Sequence, residues 1–329
     1  TWIAWPHNKK DWPGKFNEIP WVFSKIITEL SKIQSVNILV KDKSDLKKAK
    51  FFLNIFGAKI KNTKIIICKT DRAWTRDFLP IFIKDKKKRN VLSNWEFNGW
   101  AKYKNFKNDN KAFLKVNKSK KFKVIKPKYR KKKIVLEGGS IDVNGSGLIL
   151  TTMQCLLSKV QQRNKGFKKN DYNKIFNKFF GTRKIIWLNK GIQGDDTHGH
   201  VDDIARFVGK NKIFMATEKN KKDKNFKNLK ENIEIIKKFK RKNEEKFKII
   251  YVPMPKPKFM DGIRLPASYL NFYIANKIVL VPSFNDPKDK IVLKIFRKHF
   301  KNRQVILIDS SVLVWGFGTI HCLTQQEPK

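Results

Sequence analysis

Stretches with the hydrophobic spacing of amphipathic helices alternate along this chain with short apolar runs that are rich in β-branched residues. Five predicted helices are each followed closely by a predicted strand. The pairs are 19–33 with 35–40, 44–56 with 64–68, 171–180 with 184–188, 225–240 with 248–252, and 287–300 with 304–308. Alternation of helices with strands is typical of α/β proteins, so the pattern predicts the α/β class.

The last predicted helix has the clearest sequence signals. Asp286 is placed to cap its first turn, and Pro287 suits the first helical position. Four apolar residues are predicted to form its buried side, namely Ile291, Ile295, Phe296 and Phe300.

The polar segment 84–133 shows little periodicity apart from 95–100, and we predict long loops or a hairpin there. A length of 329 residues allows one large domain or two, at roughly 150 residues per domain. No Pro-, Gly- or Ser-rich linker divides the chain, so length alone leaves the number of domains open.

The charge is strongly basic, with 74 Lys and Arg against 28 Asp and Glu and a net charge of +46. Such an excess ordinarily favours nucleic acid as a partner. Lysine is spread over nearly every polar stretch, however, together with abundant Asn, Ile and Phe, which indicates a lysine-coated surface. We expect no specific nucleic acid partner. Segment 118–133, with Phe122 and Tyr129 among its lysines, keeps single-strand binding or loose polyanion association as an alternative.

Apolar runs such as 278–281 are too short to span a bilayer, and the first residues lack the features of a secretory signal. Cys68, Cys155 and Cys322 are odd in number and form no C-x-x-C pair, as expected for free thiols in a reducing compartment. We therefore expect a cytoplasmic protein without a membrane partner. Cys68 and Cys155 lie in apolar runs and are predicted to pack in the core.

Four sequence islands collect acids, glycine, histidine and cysteine in a chain otherwise dominated by lysine. They are 74–77 (WTRD), 136–140 (LEGGS), 194–203 (GDDTHGHVDD) and 316–322 (GFGTIHC). Most of them follow a predicted strand closely, and loops at strand ends are where rigid scaffolds present catalytic groups.

The third island contains the alternating residues His198, His200 and Asp202, which would share one face of an extended segment. An H-x-H-x-D-H run is the signature of binuclear zinc hydrolases, but Asp203 stands at the final histidine position. The other histidines, His7, His299 and His321, form no second ligand cluster. A metallohydrolase is therefore an incomplete alternative, and a Gly-rich turn capped by its own polar groups is the purely structural one.

A thiol site is the other interpretation, with cysteine as nucleophile, histidine as acid and base, and carboxylates that hold a cation. A cysteine thiol has a pKa of about 8.5 and needs a nearby positive charge to become a thiolate at neutral pH. A guanidinium supplies that charge, and carboxylates in its plane leave its carbon open to attack from the face. The islands offer Cys322, His200, Asp77, Asp202 and Glu137 for this chemistry.

These islands resemble the motifs of the agmatine deiminase and bacterial-type peptidylarginine deiminase family, and the resemblance runs nearly end to end. The similar segments are 2–6 (WIAWP), 74–77, 136–141, 194–207, 268–273 (SYLNFY) and 320–326 (IHCLTQQ). The resemblance implies the pentein fold, an α/β propeller of five ββαβ units around a pseudo-fivefold axis. It also implies that residues 1–329 form a single catalytic domain.

The resemblance further implies that Cys322 is the nucleophile and His200 the general acid and base. Asp77 and Asp202 would bind the guanidinium, and Glu137 would be a further acid in the pocket. Neither a cofactor nor a metal is implied. The sequence departs from the family pattern at four positions, where Phe78-Leu79 replaces Thr-Gly, Thr319 replaces Asn and His198 replaces Asp.

The implied reaction is the hydrolysis of agmatine to N-carbamoylputrescine and ammonia, through a covalent cysteine amidino-thioether, in putrescine and polyamine biosynthesis. Deimination of arginine in proteins is the alternative. The islands gather six acids that favour a small cationic substrate, namely Asp77, Glu137, Asp195, Asp196, Asp202 and Asp203. We expect Trp74 along the butyl chain and Arg264, Tyr269 and Asn271 near the cleft. A homo-oligomer is left open.

Overall fold

Helices and short strands alternate through the computed structural model, which describes residues 1–240 and 245–328. The helices are α1 Ile19–Ser31, α2 Lys43–Ile55, α3 Thr75–Phe78, α4 Ala112–Lys120, α5 Met153–Leu157, α6 Lys169–Phe180, α7 Asn225–Lys238 and α8 Lys288–His299. The strands are β1 Trp2–Ala4, β2 Val36–Val40, β3 Thr63–Ile67, β4 Ile81–Lys84, β5 Asn90–Ser93, β6 Lys123–Ile125, β7 Lys128–Tyr129, β8 Lys132–Lys133, β9 Asp142–Val143, β10 Leu148–Thr152, β11 Lys184–Leu188, β12 Ala205–Gly209, β13 Lys212–Thr217, β14 Lys248–Pro253, β15 Phe259–Met260, β16 Ile263–Arg264, β17 Tyr273–Ile274, β18 Ile278–Ser283 and β19 Gln304–Asp309.

Within the described ranges, five sheets have three strands each. Their orders are β1-β2-β3, β4-β5-β6, β9-β10-β11, β12-β13-β14 and β17-β18-β19. In the last four, the first pair is antiparallel and the second is parallel, whereas both pairs of the first sheet are parallel. Parallel neighbours need a crossover connection, and a helix provides it between the last two strands of every one of these sheets. The predicted α/β class is confirmed.

All five predicted helix–strand pairs are present, with each boundary within two residues of the prediction. In the last pair, Asp286 Oδ1 accepts a hydrogen bond of 2.8 Å from the Lys288 N–H at the start of α8. The predicted apolar side of α8 is partly wrong, because Ile291 is 52% exposed while Val292 and Phe296 are fully buried. The helix packs against β14 and β19 through that rotated side.

The prediction of loops or a hairpin for 84–133 is correct for the β7–β8 hairpin but misses β5, β6 and the helix α4. The hydrophobic pattern of the sequence did not indicate α4 because the buried apolar side of this helix is very small. Within α4, Ala112 and Val116 are fully buried, and most neighbouring positions are lysine, asparagine or serine. Such a weak pattern falls below what hydrophobic periodicity can detect.

Buried apolar residues form three clusters among the described residues. One includes Trp2, Trp5 and Trp12, another is built around Phe214, Phe272 and Phe296, and the third contains Tyr172 and Phe176. Full burial of a large apolar side chain stabilises a fold by about 1.5–3 kcal/mol, so these aromatic clusters are major contributors to stability. None of the described helices combines the length and the apolar character needed to cross a bilayer.

Candidate active site

The four islands meet at a pocket of about 430 Å³. Three of them supply its wall, and the island 136–140 lies directly behind it, where the Gly139 N–H donates to Asp77 Oδ1. The pocket is lined by Asn8, Lys10, Asp11, Pro13, Arg72, Trp74, Asp77, Trp100, Tyr103, Asn105, Asp196, Thr197, Gly316, Phe317, Gly318 and Cys322. Residues far apart in the sequence are therefore brought to one cleft.

Asp77 is held rigidly on the one-turn helix α3. Its Oδ1 accepts from the Gly139 N–H at 3.0 Å, and its Oδ2 accepts from Trp100 Nε1 at 2.9 Å. The neighbouring Arg76 N–H donates to the Cys322 carbonyl at 3.1 Å, which joins α3 to the loop of the thiol. Burial raises the pKa of Asp77, and the nearby Glu137 adds to that increase while His200 opposes it.

Gly139 lies where three reactive side chains converge. A Cβ atom at this position would lie 2.6 Å from His200 Nδ1, 2.9 Å from Asp77 Oδ1 and 3.1 Å from Asp202 Oδ2. The first two separations are shorter than real Cβ contacts, so the histidine and the two carboxylates can converge only beside glycine.

The His200 ring is buried between two carboxylates. Its Nδ1 lies 3.9 Å from Asp77 Oδ2, and its Nε2 lies 3.9 Å from Glu137 Oε2. Neither ring nitrogen has a hydrogen-bond partner within the described residues, and both are buried. Burial alone would lower the pKa of His200, but Asp77, Cys155 and Glu137 together hold it well above its usual value. The ring is therefore an imidazolium at neutral pH.

The loop before His200 is organised by Asp195, as a set of carboxylate-capped turns. Its Oδ1 accepts from the Thr197 N–H at 2.8 Å. Its Oδ2 accepts from the N–H groups of Gly199 and His200, at 2.6 and 2.9 Å. These bonds fix the backbone that carries His200.

Glu137 forms an ion pair with Arg163 that is completely buried. The Arg163 Nε lies 2.9 Å from Glu137 Oε1, and both side chains have zero exposure. Burial would raise the pKa of Glu137, but Arg163 and His200 lower it to about 2. Glu137 is thus a permanent carboxylate beside His200. Arg163 lies in none of the sequence islands, and the sequence analysis missed it.

Cys322 is 5% exposed and reaches the pocket beside the turn that follows the 3₁₀ helix Leu313–Gly316. Its Sγ accepts a hydrogen bond from Asn271 Nδ2 at 3.1 Å and lies 3.8 Å from Asp202 Oδ2. Burial raises the pKa of Cys322 well above its usual value, and Asp202 and Asp203 raise it further. This shift favours the neutral thiol of Cys322 at neutral pH.

Asn271 positions the thiol loop through its oxygen as well as its nitrogen. Its Oδ1 accepts from the His321 N–H at 3.0 Å, from the Cys322 N–H at 3.3 Å and from Thr319 Oγ1 at 2.9 Å. Thr319, which replaces the asparagine of the family pattern, is thus held in the thiol loop by its hydrogen bond to Asn271. Asn271 does not line the pocket as predicted, but it contacts the sulfur of Cys322, which does.

Asp202 and His321 form a close pair behind the thiol, with 2.7 Å between Asp202 Oδ2 and His321 Nδ1. Burial raises the pKa of Asp202 to about 7. Burial also lowers the pKa of His321 well below its usual value, and the positive charges of Arg206 and Arg76 lower it further. The pair therefore contains a neutral imidazole. In the sequence, His321 appeared only as one of the isolated histidines.

Together these groups suit the capture of a planar cation. A guanidinium between Asp77 and Asp202 would neutralise the carboxylates that raise the pKa of Cys322, and its own positive charge would favour the thiolate. The binding of such a cation would therefore activate the nucleophile that attacks it. An imidazolium at His200 provides a proton for a departing nitrogen.

The arrangement expected for a metal site at His198, His200 and Asp202 is wrong. Residues 201–203 form a 3₁₀ helix, and His198 has a φ of 63°, so the three side chains do not share a face of one strand. Instead, the His198 Nε2 lies 3.1 Å from Ser158 Oγ.

A different group with metal-binding residue types occurs among the described residues. Glu137, Cys155 and His200 place one ligand atom each within 4.8 Å of one another. Because Arg163 already pairs with Glu137, a cation there would meet a guanidinium, and the fit to a divalent metal is poor. Cys155 is buried as predicted, yet it also lies beside His200 and so is more than core packing.

Of three other residues predicted to line the cleft, one lines the pocket and two lie elsewhere. Trp74 lines the pocket, and its ring centroid is 5.2 Å from that of Trp12. The prediction that Tyr269 and Arg264 reach the cleft is wrong. The Tyr269 hydroxyl donates to Asp289 Oδ1 at 2.6 Å, and the Arg264 guanidinium pairs with Asp223 at 2.9 Å.

Comparisons with known proteins agree with this geometry. The sequence model of the Porphyromonas-type peptidyl-arginine deiminase family matches residues 1–328. A protein of Legionella pneumophila named "Putative agmatine deiminase" is 32% identical over 331 residues, which cover 100% of this chain and 91% of that protein.

Two solved structures are also similar. A cysteine-to-serine variant of the agmatine deiminase of C. jejuni, with substrate bound, has a TM-score of 0.86 and 31% identity over 98% of this chain and 91% of that one. The agmatine deiminase of Enterococcus faecalis has a TM-score of 0.89 and 25% identity over 100% of this chain and 92% of that one.

Proposed function

The chain belongs to the Porphyromonas-type peptidyl-arginine deiminase family, and we propose that within this family it acts as an agmatine deiminase. The reaction hydrolyses agmatine to N-carbamoylputrescine and ammonia. The observation that carries the proposal is that Cys322 and Asp77 line one pocket. Directly behind them, the buried His200 lies 3.9 Å from Asp77 Oδ2, and the buried Asp202 lies 3.8 Å from the Cys322 sulfur. The agmatine deiminase names of similar proteins support the choice of substrate.

We also propose that residues 1–328 act as one catalytic domain with the pentein arrangement of five units around a pseudo-fivefold axis. The five three-stranded sheets, each with a helical crossover, support this arrangement. The site draws on loops that follow several of these sheets, as expected if the units surround a common centre.

In the proposed first half-reaction, the guanidinium binds between Asp77 and Asp202, and the Cys322 thiol releases its proton to solvent. The thiolate attacks the guanidinium carbon, which gives a neutral tetrahedral adduct. His200 then donates its proton to one amino group, ammonia leaves, and a positively charged amidino-thioether remains on Cys322. Correct placement of the carbon over sulfur contributes most at this stage.

In the second half-reaction, His200 is neutral and takes a proton from an incoming water molecule. The hydroxide adds to the same carbon, and the new adduct collapses with cleavage of the carbon–sulfur bond. Its hydroxyl proton passes to the departing Cys322 sulfur. The ureido product leaves, while His200 is again an imidazolium and Cys322 a thiol. Glu137, held as a carboxylate by Arg163, stabilises that imidazolium.

The value of kcat/KM for agmatine is expected to rise with pH, and more steeply below about pH 7 than above it, because Asp202 and the Cys322 thiol both lose a proton before the attack. Burial raises the pKa of Asp202 to about 7, and only its ionised form attracts the guanidinium strongly. Below that pH, protonation of Asp202 should add a loss of about tenfold in kcat/KM per pH unit to the loss caused by the thiol proton, while kcat falls less because the bound cation keeps Asp202 ionised. Ammonia release measured between about pH 5.5 and 8.5 tests this. If kcat/KM does not change between about pH 5.5 and 7, Asp202 is excluded as the carboxylate whose ionisation controls binding of the guanidinium.

Agmatine is expected to exceed both free arginine and a blocked arginyl peptide in kcat/KM, by about 10²-fold or more. Asp11, Asp77 and Asp196 line the pocket against Lys10 and Arg72, so carboxylates outnumber cations there even though Arg72 pairs with Asp11 and Lys102 with Asp196. This balance favours the distal ammonium of agmatine over the α-carboxylate of arginine. A pocket of about 430 Å³ also leaves little room for a peptide backbone.

The three compounds should be compared at one ionic strength by ammonia release. The matched control is an N-acylated agmatine, which keeps the chain length but removes the distal charge and should lose most of the advantage. A preference for the peptide would instead identify a peptidylarginine deiminase and leave the thiol chemistry standing.

A further inference from the structure

Two neighbouring pairs of residues face two different cavities. Asp77 and Cys322 line the pocket described above, whereas the adjacent Arg76 and His321 line a second cavity of about 1100 Å³, called the rear cavity below. Strands β4, β9 and β10 and the end of α6 form much of its wall. The rear cavity thus lies on the other side of the segments that carry the proposed catalytic groups.

A buried guanidinium without a carboxylate partner lies at the rear cavity. The side chain of Arg76 donates through Nη1 to Gln325 Oε1 at 2.9 Å and to Gln326 Oε1 at 2.5 Å, and through Nε to the His321 carbonyl at 3.3 Å. Within the described chain, it belongs to no ion pair, and its Nη2 has no hydrogen-bond partner. Burial lowers the pKa of Arg76 to about 10, so the group stays charged at neutral pH.

A second buried donor lies beside it. Because a guanidinium has only donors, Gln325 must turn its oxygen toward Arg76, which directs the amide NH₂ elsewhere. Gln325 is 1% exposed, and its Nε2 also lacks a partner among the described residues. Two unpaired N–H donors buried within residues of one cavity wall are costly, and a ligand with oxygen acceptors and negative charge that reaches them would satisfy both.

The remaining charge of the rear cavity has the same sign. Six basic residues line it, namely Arg76, Lys84, Lys86, Lys123, Lys178 and Arg206, against the acids Asp85 and Asp142. Asp142 is offset by Arg206, which is one of the six, and Asp85 pairs with Arg89, which lies outside the lining, so the cavity keeps an excess of positive charge. The cavity can therefore accommodate more than one negative charge, which favours a phosphate or diphosphate over a single carboxylate.

The wall between the buried anchor and the exposed lysines is apolar. Ile81, Ile83, Leu148, Phe179 and Phe180 contribute to it. An inorganic anion would leave this surface and most of the volume unused, whereas a ring attached to phosphates would cover it.

From these observations we propose that the rear cavity is a binding site for a phosphorylated small molecule of nucleotide size, with Arg76 and Gln325 as the buried anchor for its phosphate. The inference does not depend on agmatine deiminase activity. It concerns a different surface of the molecule and is tested by binding.

The test is calorimetric titration of the full chain with ADP, and separately with inorganic pyrophosphate, at physiological ionic strength. ADP should bind about tenfold more tightly than pyrophosphate, because only ADP covers the apolar wall. The double variant Lys123→Gln/Lys178→Gln should weaken ADP binding about tenfold, and Arg76→Gln about tenfold or more. Absence of ADP binding to the wild type would overturn the proposal.

Nonspecific attraction to a chain of net charge +46 is the main competing explanation. The double variant Lys290→Gln/Lys301→Gln removes the same charge from exposed lysines outside the rear cavity and should leave ADP affinity unchanged. Ile83→Trp keeps the charge but fills part of the cavity, and should weaken ADP at least as much as the cavity lysine variant. Equal losses in the two lysine variants, or undiminished binding to Ile83→Trp, would contradict the site.

Folding and deimination provide independent readouts. Lys123→Gln/Lys178→Gln and Ile83→Trp lie outside the thiol pocket and should keep wild-type turnover of agmatine when no nucleotide is present. If Arg76→Gln fails to fold, these two variants still decide the question. Loss of ADP binding with turnover retained supports a separate site, whereas ADP binding that agmatine displaces competitively would place the nucleotide in the thiol pocket and refute the proposal.

Discussion

Replacement of Cys322 by serine is expected to lower agmatine turnover by about 10⁴-fold or more without unfolding the protein. Oxygen is a far weaker nucleophile than sulfur toward the guanidinium carbon, while the side chain hardly changes in size. Asn271 Nδ2, which lies 3.1 Å from the sulfur, can donate to a hydroxyl as well. Ammonia release and thermal unfolding, measured on the same preparation, test both parts of the expectation.

The matched control is Cys68→Ser, because Cys68 is also a buried free thiol but does not line the pocket. It should retain turnover. In the wild type, acid quenching during a single turnover should leave an amidine-bearing mass on the peptide that contains Cys322. Substantial ammonia release by the Cys322→Ser protein would end the thiol mechanism.

The comparison of two histidines has the next largest expected effect. His200→Ala should lower kcat by about 10²- to 10⁴-fold, since general acid–base catalysis is lost in both half-reactions. His198→Ala should change kcat only slightly, because this half-buried ring contacts Ser158 Oγ, whereas the His200 ring lies between Asp77 and Glu137. Steady-state kinetics of the two variants, with and without a chelator, make the measurement.

The two histidine variants also test the metal alternative, because a metallohydrolase would require His198 and His200 to serve together. Chelators should leave the wild-type rate unchanged under the deiminase mechanism. If kcat falls equally in both variants and the purified protein contains stoichiometric zinc, a metal mechanism is favoured and the assignment of His200 is overturned.

The sequence predicted those elements whose hydrophobic pattern is strong. Helices α1, α2, α6, α7 and α8 were found because each buries a broad apolar side, although the orientation of α8 was misjudged at Ile291. Helix α4 was missed because only its small residues Ala112 and Val116 are fully buried. Where lysine fills the exposed positions, a short amphipathic helix resembles a loop in sequence.

The candidate site was predictable where chemistry is concentrated in short motifs, as for Asp77, His200 and Cys322. The residues that tune these groups were not, because they are distant in sequence and common in type. Arg163 lies in a lysine-rich stretch, and only folding brings it to 2.9 Å from Glu137. His321 was adjacent to Cys322, but its 2.7 Å contact with Asp202 spans 119 positions.

The opposite directions of Arg76 and Asp77, and of His321 and Cys322, constrain how this sequence can evolve. Within each pair, one residue serves the thiol pocket and the other the rear cavity. Point substitutions can modify one side without the other. A single-residue insertion or deletion in either segment would turn both side chains away from their own cavities, so length variation among homologues should be excluded from these positions and confined to the loops around them.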